Sequence, residues 1–281
     1  MTGEKGDYVT TEPVRSNTPD YGFLDQPEVA RVLFHPRRDP PNRPLPLRVR
    51  LVRIPVDEGI AISARMHRAD PAGPTVLFFH GNGEIAADYD GISPLYTGLG
   101  INLFIADYRG YGSSDGQPRA SHLLADAIAI YEKTASILEE NELRARPLFI
   151  MGRSLGSAAA IEIARHARDN IDGLIVESGF AYTLPLLATL GLRWEQEQTD
   201  EARDGFGNLE KIAQVHVPTL IIHGEDDGLI PVENAHALYE GCGAANKRLV
   251  TVPGAGHNDL MFTGQAEYFD ALRAVVMGAR M

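Results

Sequence analysis

Residues 147–156 read P-L-F-I-M-G-R-S-L-G, and S-A-A-A-I follows at once. An apolar run, a serine between two glycines and then a stretch of small residues call for a short buried strand, a sharp turn and a helix packed close behind it. Gly152-Arg153-Ser154-Leu155-Gly156 fits G-x-S-x-G, in which the serine sits on a strained strand-to-helix turn with its hydroxyl exposed. Strand and helix nearly touch at such a turn, so a Cβ at either glycine would clash. With 28 glycines in the chain, chance supplies this pattern roughly one time in ten. The rest of the sequence has to provide what a reactive serine needs.

A strand-turn-helix unit belongs in an alternating chain, and from Val49 onward the sequence alternates. Arg50–Val56 and Ala61–Arg68 flank Asp57-Glu58-Gly59, a hairpin-turn signal. Thr75–His80, Ile101–Asp107, Leu148–Gly152, Gly173–Glu177, Thr219–His223 and Arg248–Val252 are further strand-like runs, which makes eight. Between and after them Ile85–Leu99, His122–Glu140, Ser157–Arg168, Val232–Gly241 and Asp259–Met277 carry helical patterns. The expectation is one α/β domain over residues 49–281, with a mostly parallel eight-stranded sheet covered by helices on both faces.

Residues 1–48 form an N-terminal extension in this reading. Residues 1–22 are polar and turn-prone, and Phe23–Phe34 reads as a short amphipathic helix with Pro27 in its first turn and Val29, Val32 and Leu33 on one face. Residues 35–50 are crowded with proline and arginine. The cluster Arg37, Arg38, Arg43, Arg48 and Arg50 could bind an anion, but a solvated connector offsetting an acidic body is the simpler expectation.

The net charge of −12 disfavours a nucleic-acid partner, because phosphate binding needs a basic face. The single cysteine, Cys242, excludes an internal disulfide and a thiolate metal site, and the nine histidines are scattered. No metal or cofactor is expected. The N-terminus lacks the apolar core of a signal peptide, and no run approaches the ~20 apolar residues of a membrane span. These observations lead to the expectation of a cytoplasmic protein acting on a small molecule.

In parallel sheets chemistry gathers at the carboxyl ends of the strands. Polar and glycine residues cluster there: His80-Gly81-Asn82-Gly83, Asp107, Ser154, Glu177, His223-Gly224-Glu225-Asp226-Asp227 and Gly254-Ala255-Gly256-His257. An acyl-transfer serine needs a base, an acid to orient that base, and N–H donors for the developing oxyanion. His257, on a glycine-rich loop after the last strand, is the candidate base. Asp227 is the candidate acid, with Asp226 next and Glu177 topologically allowed. The oxyanion donors would be the N–H of Leu155 and that of Asn82, with Gly83 behind it. His80 and His223 read as structural, and Asp107, Arg109 and Asp115 as bracing the rim of the site.

Taken together, H-G-N-G, D-Y-R-G-Y-G-S-S-D-G, G-R-S-L-G, L-I-I-H-G-E-D-D-G-L-I-P and G-A-G-H-N-D resemble the α/β-hydrolase superfamily. Within it the likeness is to the small-cap branch with acyl-protein thioesterase-like and peptidase/esterase-like serine hydrolases. The resemblance covers about residues 49–278 and implies Ser154 as nucleophile, Asp227 as acid, His257 as base, and Asn82 and Leu155 as oxyanion donors. Some membrane-bound eukaryotic members carry a cysteine-rich palmitoylated N-terminus. Residues 1–48 contain no cysteine, so neither membrane anchoring nor a lipidated-protein substrate is expected.

The expected activity is hydrolysis of a carboxylic ester or thioester through an acyl-enzyme, declining below about pH 6 to 7 as an imidazole base protonates. A peptidase or acyltransferase with the same residues is the alternative, and a non-catalytic binding protein the rival from another class. Substrate choice would fall to an insertion at 180–205. F-A-Y-T-L-P-L-L-A-T-L-G-L-R-W within it could be a flap over an acyl pocket with Trp194 at the rim, or an ordinary covering helix.

Overall fold

The computed structural model of the chain describes residues 21–40, 44–194 and 199–278. Its strands are β1 Val49–Asp57, β2 Ile60–His67, β3 Thr75–Phe79, β4 Asn102–Ala106, β5 Leu148–Arg153, β6 Gly173–Glu177, β7 Thr219–Gly224 and β8 Lys247–Val252. They form one eight-stranded sheet in the order β1-β2-β4-β3-β5-β6-β7-β8. β2 pairs antiparallel with β1 and β4, and every later pairing is parallel.

The helices are α1 Pro27–Leu33, α2 Ser93–Thr97, α3 Ala120–Glu140, α4 Gly156–Ala167, α5 Thr183–Thr189, α6 Glu201–Asp204, α7 Asn208–Ile212, α8 Glu233–Gly241, α9 Leu260–Thr263 and α10 Gln265–Val276. Strand alternation divides the core into two layers. Leu77 and Phe79 of β3 face a layer that contains Leu123, Ala158–Ala160 and Leu238, from α3, α4 and α8. Val76 and Phe78 face the other, built with Tyr96, Leu260, Tyr268 and Leu272, from α2, α9 and α10. Both faces of the central strands are therefore dry, which is why β3, β4 and β6 are continuous apolar runs.

Two expected helices are broken. Ile85–Leu99 becomes a 3-10 turn over Ala86–Gly91 followed by α2, because Gly91 and Pro94 interrupt one hydrogen-bond ladder. Asp259–Met277 becomes α9 and α10, separated at Gly264, where a Cβ would overlap Val252. The chain must pass so close to β8 there that one straight helix does not fit.

The N-terminal helix is shorter than expected, with Pro27 in its first turn and Val29 and Leu33 buried. Residues 35–38 are exposed, as in a surface connector, and are also bonded to the body of the domain. Arg37 donates to Gly83 O and Asp88, and Arg38 to Ser114 O. Arg48 and Arg50 do face solvent. Arg43 and residues 1–20 lie outside the described residues, as do 195–198.

Candidate active site

Three loops from three strand ends bring Ser154, Asp227 and His257 together. Ser154 follows β5, Asp227 follows β7 and His257 follows β8. The His257 Nε2 lies 3.0 Å from Ser154 Oγ, and its Nδ1 lies 2.7 Å from Asp227 Oδ2. A carboxylate only accepts, so Nδ1 carries the proton and the Nε2 lone pair faces the serine hydroxyl. Asp226, the alternative acid, is exposed, and it is Asp227 that His257 Nδ1 meets. Glu177 is occupied by Arg153 and Tyr268.

The Asp227 carboxylate is built to stay ionised. Oδ1 accepts the N–H groups of Leu229 and Ile230 at 2.9 and 2.8 Å. Oδ2 accepts from His257, and His223 Nε2 stands 3.3 Å from it while donating to Ile230 O at 2.7 Å. Burial alone would raise its pKa; the hydrogen bonds from His223 and His257 and the Ile230 N–H outweigh that and hold the carboxyl well below the usual range. A depressed pKa gives stability that is complete above the unfolded value of about 4 and is lost as pH falls toward the folded one. The stability difference between wild type and Asp227→Asn, by urea denaturation, should therefore be flat above about pH 5 and shrink below about pH 4. A difference that already shrinks near neutrality would contradict this account.

The elbow geometry follows from its sequence. Ser154 has φ 51°, a left-handed conformation that costs a non-glycine residue about 1–3 kcal/mol. Its N–H is tied to Glu177 O at 2.9 Å. A Cβ at Gly156 would overlap Phe79 O, and one at Gly152 would overlap Gly156 O. Both glycines are thus required by the approach of α4 to β3 and β5. The N-terminus of α4, a 12-residue helix, adds a favourable partial charge beside Ser154.

Among the described residues, the N–H groups of Leu155 and Asn82 meet no protein acceptor. Gly83, the other donor considered in that loop, is held through its carbonyl, which accepts from Arg37 Nη1 at 3.0 Å. His80 is fully buried, with Nδ1 against Gly81 O at 2.9 Å and Nε2 3.2 Å from Asp107 Oδ1. Asp107 also accepts Ala86 N–H at 2.8 Å, so this pair ties the loop after β4 to the loop after β3. Arg109 is clamped by Asp126 at 2.7 Å through both Nε and Nη2, and Asp115 accepts Ala61 N–H at 3.0 Å.

One group at the site escaped the sequence reading. Arg153, the variable residue of the elbow pattern, is 8% exposed and bound on all sides. Nε donates to Glu177 Oε1 at 3.1 Å, Nη1 to Glu84 Oε1, and Nη2 to His257 O and Asn258 Oδ1 at 2.8 and 3.1 Å. Tyr268 OH donates to Glu177 Oε2, and Tyr89 OH and Gly81 N–H donate to Glu84 Oε2, all at 2.7 Å. Burial pushes Glu177 up, and Arg153 and Tyr268 offset part of that. The sequence carried a signal for this: an arginine ending an apolar strand needs counter-charges, and Glu84 and Glu177 stand at the two neighbouring strand ends.

A cavity of about 100 Å³ opens beside His257, lined by Arg153, Glu84, Glu177, Met261 and Phe262 among others. The described residues of the insertion make other contacts. α5 buries Thr183 and Leu187 in the core, and Trp194 stacks near Phe23 with ring centroids 6.0 Å apart. A cavity of about 220 Å³ beside α5 is lined by Leu184, Pro185, Ala188, Trp194 and Thr199. Ser154, Asp227 and His257 are not among its walls. These are the contacts of a covering helix. Among the described residues, no helix is long and apolar enough to cross a membrane.

The profile of a family described as serine aminopeptidase, S33, matches residues 70–202 and 201–262. The chain is 34% identical to alpha/beta hydrolase domain-containing protein 17B of Xenopus tropicalis over 223 residues, 78% of this chain and 72% of that one. Against the human protein of that name it is 33% identical over 224 residues, with the same shares. Against alpha/beta hydrolase domain-containing protein aho-3 of Caenorhabditis elegans it is 33% identical over 206 residues, 72% of this chain but 57% of the relative. The chain thus spans little more than half of that relative's length. Among solved structures, the Pyrococcus furiosus esterase Pf2001 superposes with a TM-score of 0.70 at 18% identity, over 89% of this chain and 98% of the esterase. Est1E from Butyrivibrio proteoclasticus with ferulic acid bound gives 0.64 at 21% identity, over 79% and 99%. At these identities the two structures speak to the fold. From the profile match and the identities to its relatives, this chain belongs to the α/β-hydrolase superfamily, in the family described as serine aminopeptidase, S33.

Proposed function

We propose that this protein is a serine hydrolase that cleaves a carboxylic ester or thioester through an acyl-enzyme. The observation that carries the reading is the single imidazole, His257, held between Ser154 Oγ and Asp227 Oδ2. In this mechanism Ser154 Oγ attacks the carbonyl carbon while its proton passes to His257 Nε2. Asp227 stabilises the imidazolium and keeps Nδ1 protonated. The carbonyl oxygen, now an oxyanion, is received by the N–H groups of Leu155 and Asn82. His257 returns the proton to the departing alkoxide or thiolate, leaving Ser154 acylated. Water then attacks the acyl carbon, losing a proton to His257, and His257 returns that proton to Ser154 Oγ as the carboxylic acid departs.

A fluorophosphonate tests the nucleophile directly. It should label the protein at one equivalent, and peptide mass spectrometry should place the label on Ser154. Labelling at another residue, or none, would sink the assignment. The family's description as a serine aminopeptidase favours a second reading with the same residues and an amide in place of the ester. A panel of aryl esters, thioesters and aminoacyl amides separates the two. The ester reading expects the first two to turn over and the amides to remain intact.

A further inference from the structure

The segment following α1 is bound to the loop that holds the Asn82 N–H. His35 N–H donates to Asn82 Oδ1 at 2.8 Å and lies 2.9 Å from the Tyr111 hydroxyl, which itself donates to Asn82 Oδ1 at 2.7 Å. A backbone N–H can only donate, so it fixes which end of the Asn82 amide is oxygen. The Asn82 Nδ2 then faces His35 Nδ1 at 2.9 Å, and that ring nitrogen is the acceptor, with the proton on Nε2. Every polar atom of the Asn82 side chain is thereby engaged by His35 or Tyr111. Two residues after His35, Arg37 Nη1 donates to Gly83 O at 3.0 Å and to Asp88 Oδ2 at 2.8 Å.

The segment that provides these contacts is itself anchored at both ends. Upstream, Leu33 and Phe34 are buried in the core, and Asp25 accepts from Ser121 N–H and Oγ. Downstream, Gly112 N–H donates to Arg37 O at 2.8 Å, Asp39 N–H to Gly112 O at 3.3 Å, and Ser113 Oγ to Asp39 Oδ2 at 2.7 Å. His35 therefore approaches Asn82 from a fixed base.

We infer that His35 is a positioning residue for the oxyanion hole, holding the Asn82 backbone through the Asn82 side chain. This inference rests on the serine-hydrolase reading. An oxyanion donor is effective when it is aimed before charge develops, because no reorganisation then accompanies the reaction. The neighbours of Asn82 are held, Gly81 N–H by Glu84 and Gly83 O by Arg37, but a glycine on either side leaves the Asn82 peptide between them free to turn. The side chain pinned by His35 and Tyr111 supplies the missing restraint. Residues 34–39 are in this account part of the reaction machinery, although they lie outside the alternating strand-and-helix region.

The test measures kcat and KM on an aryl ester, with rates expressed per Ser154 titrated by a fluorophosphonate so that misfolded molecules drop out. Asn82→Ala keeps the N–H and removes its restraint, and should lower kcat about 10- to 100-fold with KM within about twofold. His35→Ala should lower kcat about 3- to 10-fold, also without moving KM. His35→Asn places an amide oxygen near the Nδ1 position and should restore most of that loss. The double variant His35→Ala/Asn82→Ala should be no slower than Asn82→Ala alone.

A His35→Ala enzyme with unchanged kcat, a loss that falls on KM, equal losses in His35→Ala and His35→Asn, or additive losses in the double variant would each overturn the positioning role. Turnover surviving in Ser154→Ala would overturn the parent reading and this one together. Turnover lost in Ser154→Ala but untouched in His35→Ala overturns only the role of His35.

Discussion

Ser154→Ala is expected to lower kcat by about 10⁴- to 10⁶-fold while leaving the fold intact. The activity loss follows because, among the described residues, no other hydroxyl stands at His257 Nε2; Ser157 Oγ, three residues on, donates to Ser154 O at 2.6 Å and is fully buried. The stability change is small because alanine keeps the Cβ and the backbone and forfeits one hydrogen bond, worth about 1 kcal/mol. Thermal denaturation should place the variant within a few degrees of wild type. Ser154→Gly extends the argument: it is equally inactive, but it relieves the positive φ and should be at least as stable as Ser154→Ala. Residual ester turnover above about one part in 10³ of wild type in either variant would mean that another nucleophile operates.

The second large effect is on stability and comes from Arg153. Arg153→Met retains the apolar stem but removes the cation between Glu84 and Glu177, and should cost about 3–5 kcal/mol at neutral pH. Its sign with pH can be worked out. Glu177 already has a raised pKa from burial, so it takes a proton more readily than an exposed carboxyl once Arg153 is gone. The neutral acid no longer needs a counter-ion. The penalty of Arg153→Met should therefore be smaller at pH 5 than at pH 8, measured by urea denaturation at both. A penalty that is equal at the two values, or larger at pH 5, would show that the ion pairs are not its source. The same variant removes the donors to His257 O and Asn258 Oδ1, so its remaining folded fraction should turn over slowly.

The sequence made some of this architecture legible and concealed the rest for physical reasons. The elbow was legible because its chemistry is local: five consecutive residues encode the close approach of strand and helix. His257 and Asp227 could be located because parallel strands announce themselves as apolar runs, and the residues after each run share one edge of the sheet. The helix break at Gly264 was not legible, since its cause is Val252, which belongs to β8 and not to the helical pattern. The contacts of residues 35–39 were not legible for a related reason. Their composition is that of a surface connector, yet the groups that bind them, Asn82 and Tyr111, lie 47 and 76 residues away from His35. Arg153 was hidden in plain view, as the unspecified letter of a pattern whose other letters drew the attention.

The separation of the three central side chains along the chain has a consequence for how the protein comes into being. Ser154 Oγ and His257 Nε2 meet across 103 residues, and His257 sits on the loop after the outermost strand, β8. A serine hydroxyl without its base is an ordinary alcohol and a poor nucleophile. On the proposed mechanism, a chain that has formed β5 and the elbow has no reactive group until β7 and β8 have docked and delivered Asp227 and His257. On that mechanism the arrangement couples chemical competence to completion of the sheet, so that a half-made or partly unfolded molecule carries the serine without the means to acylate it.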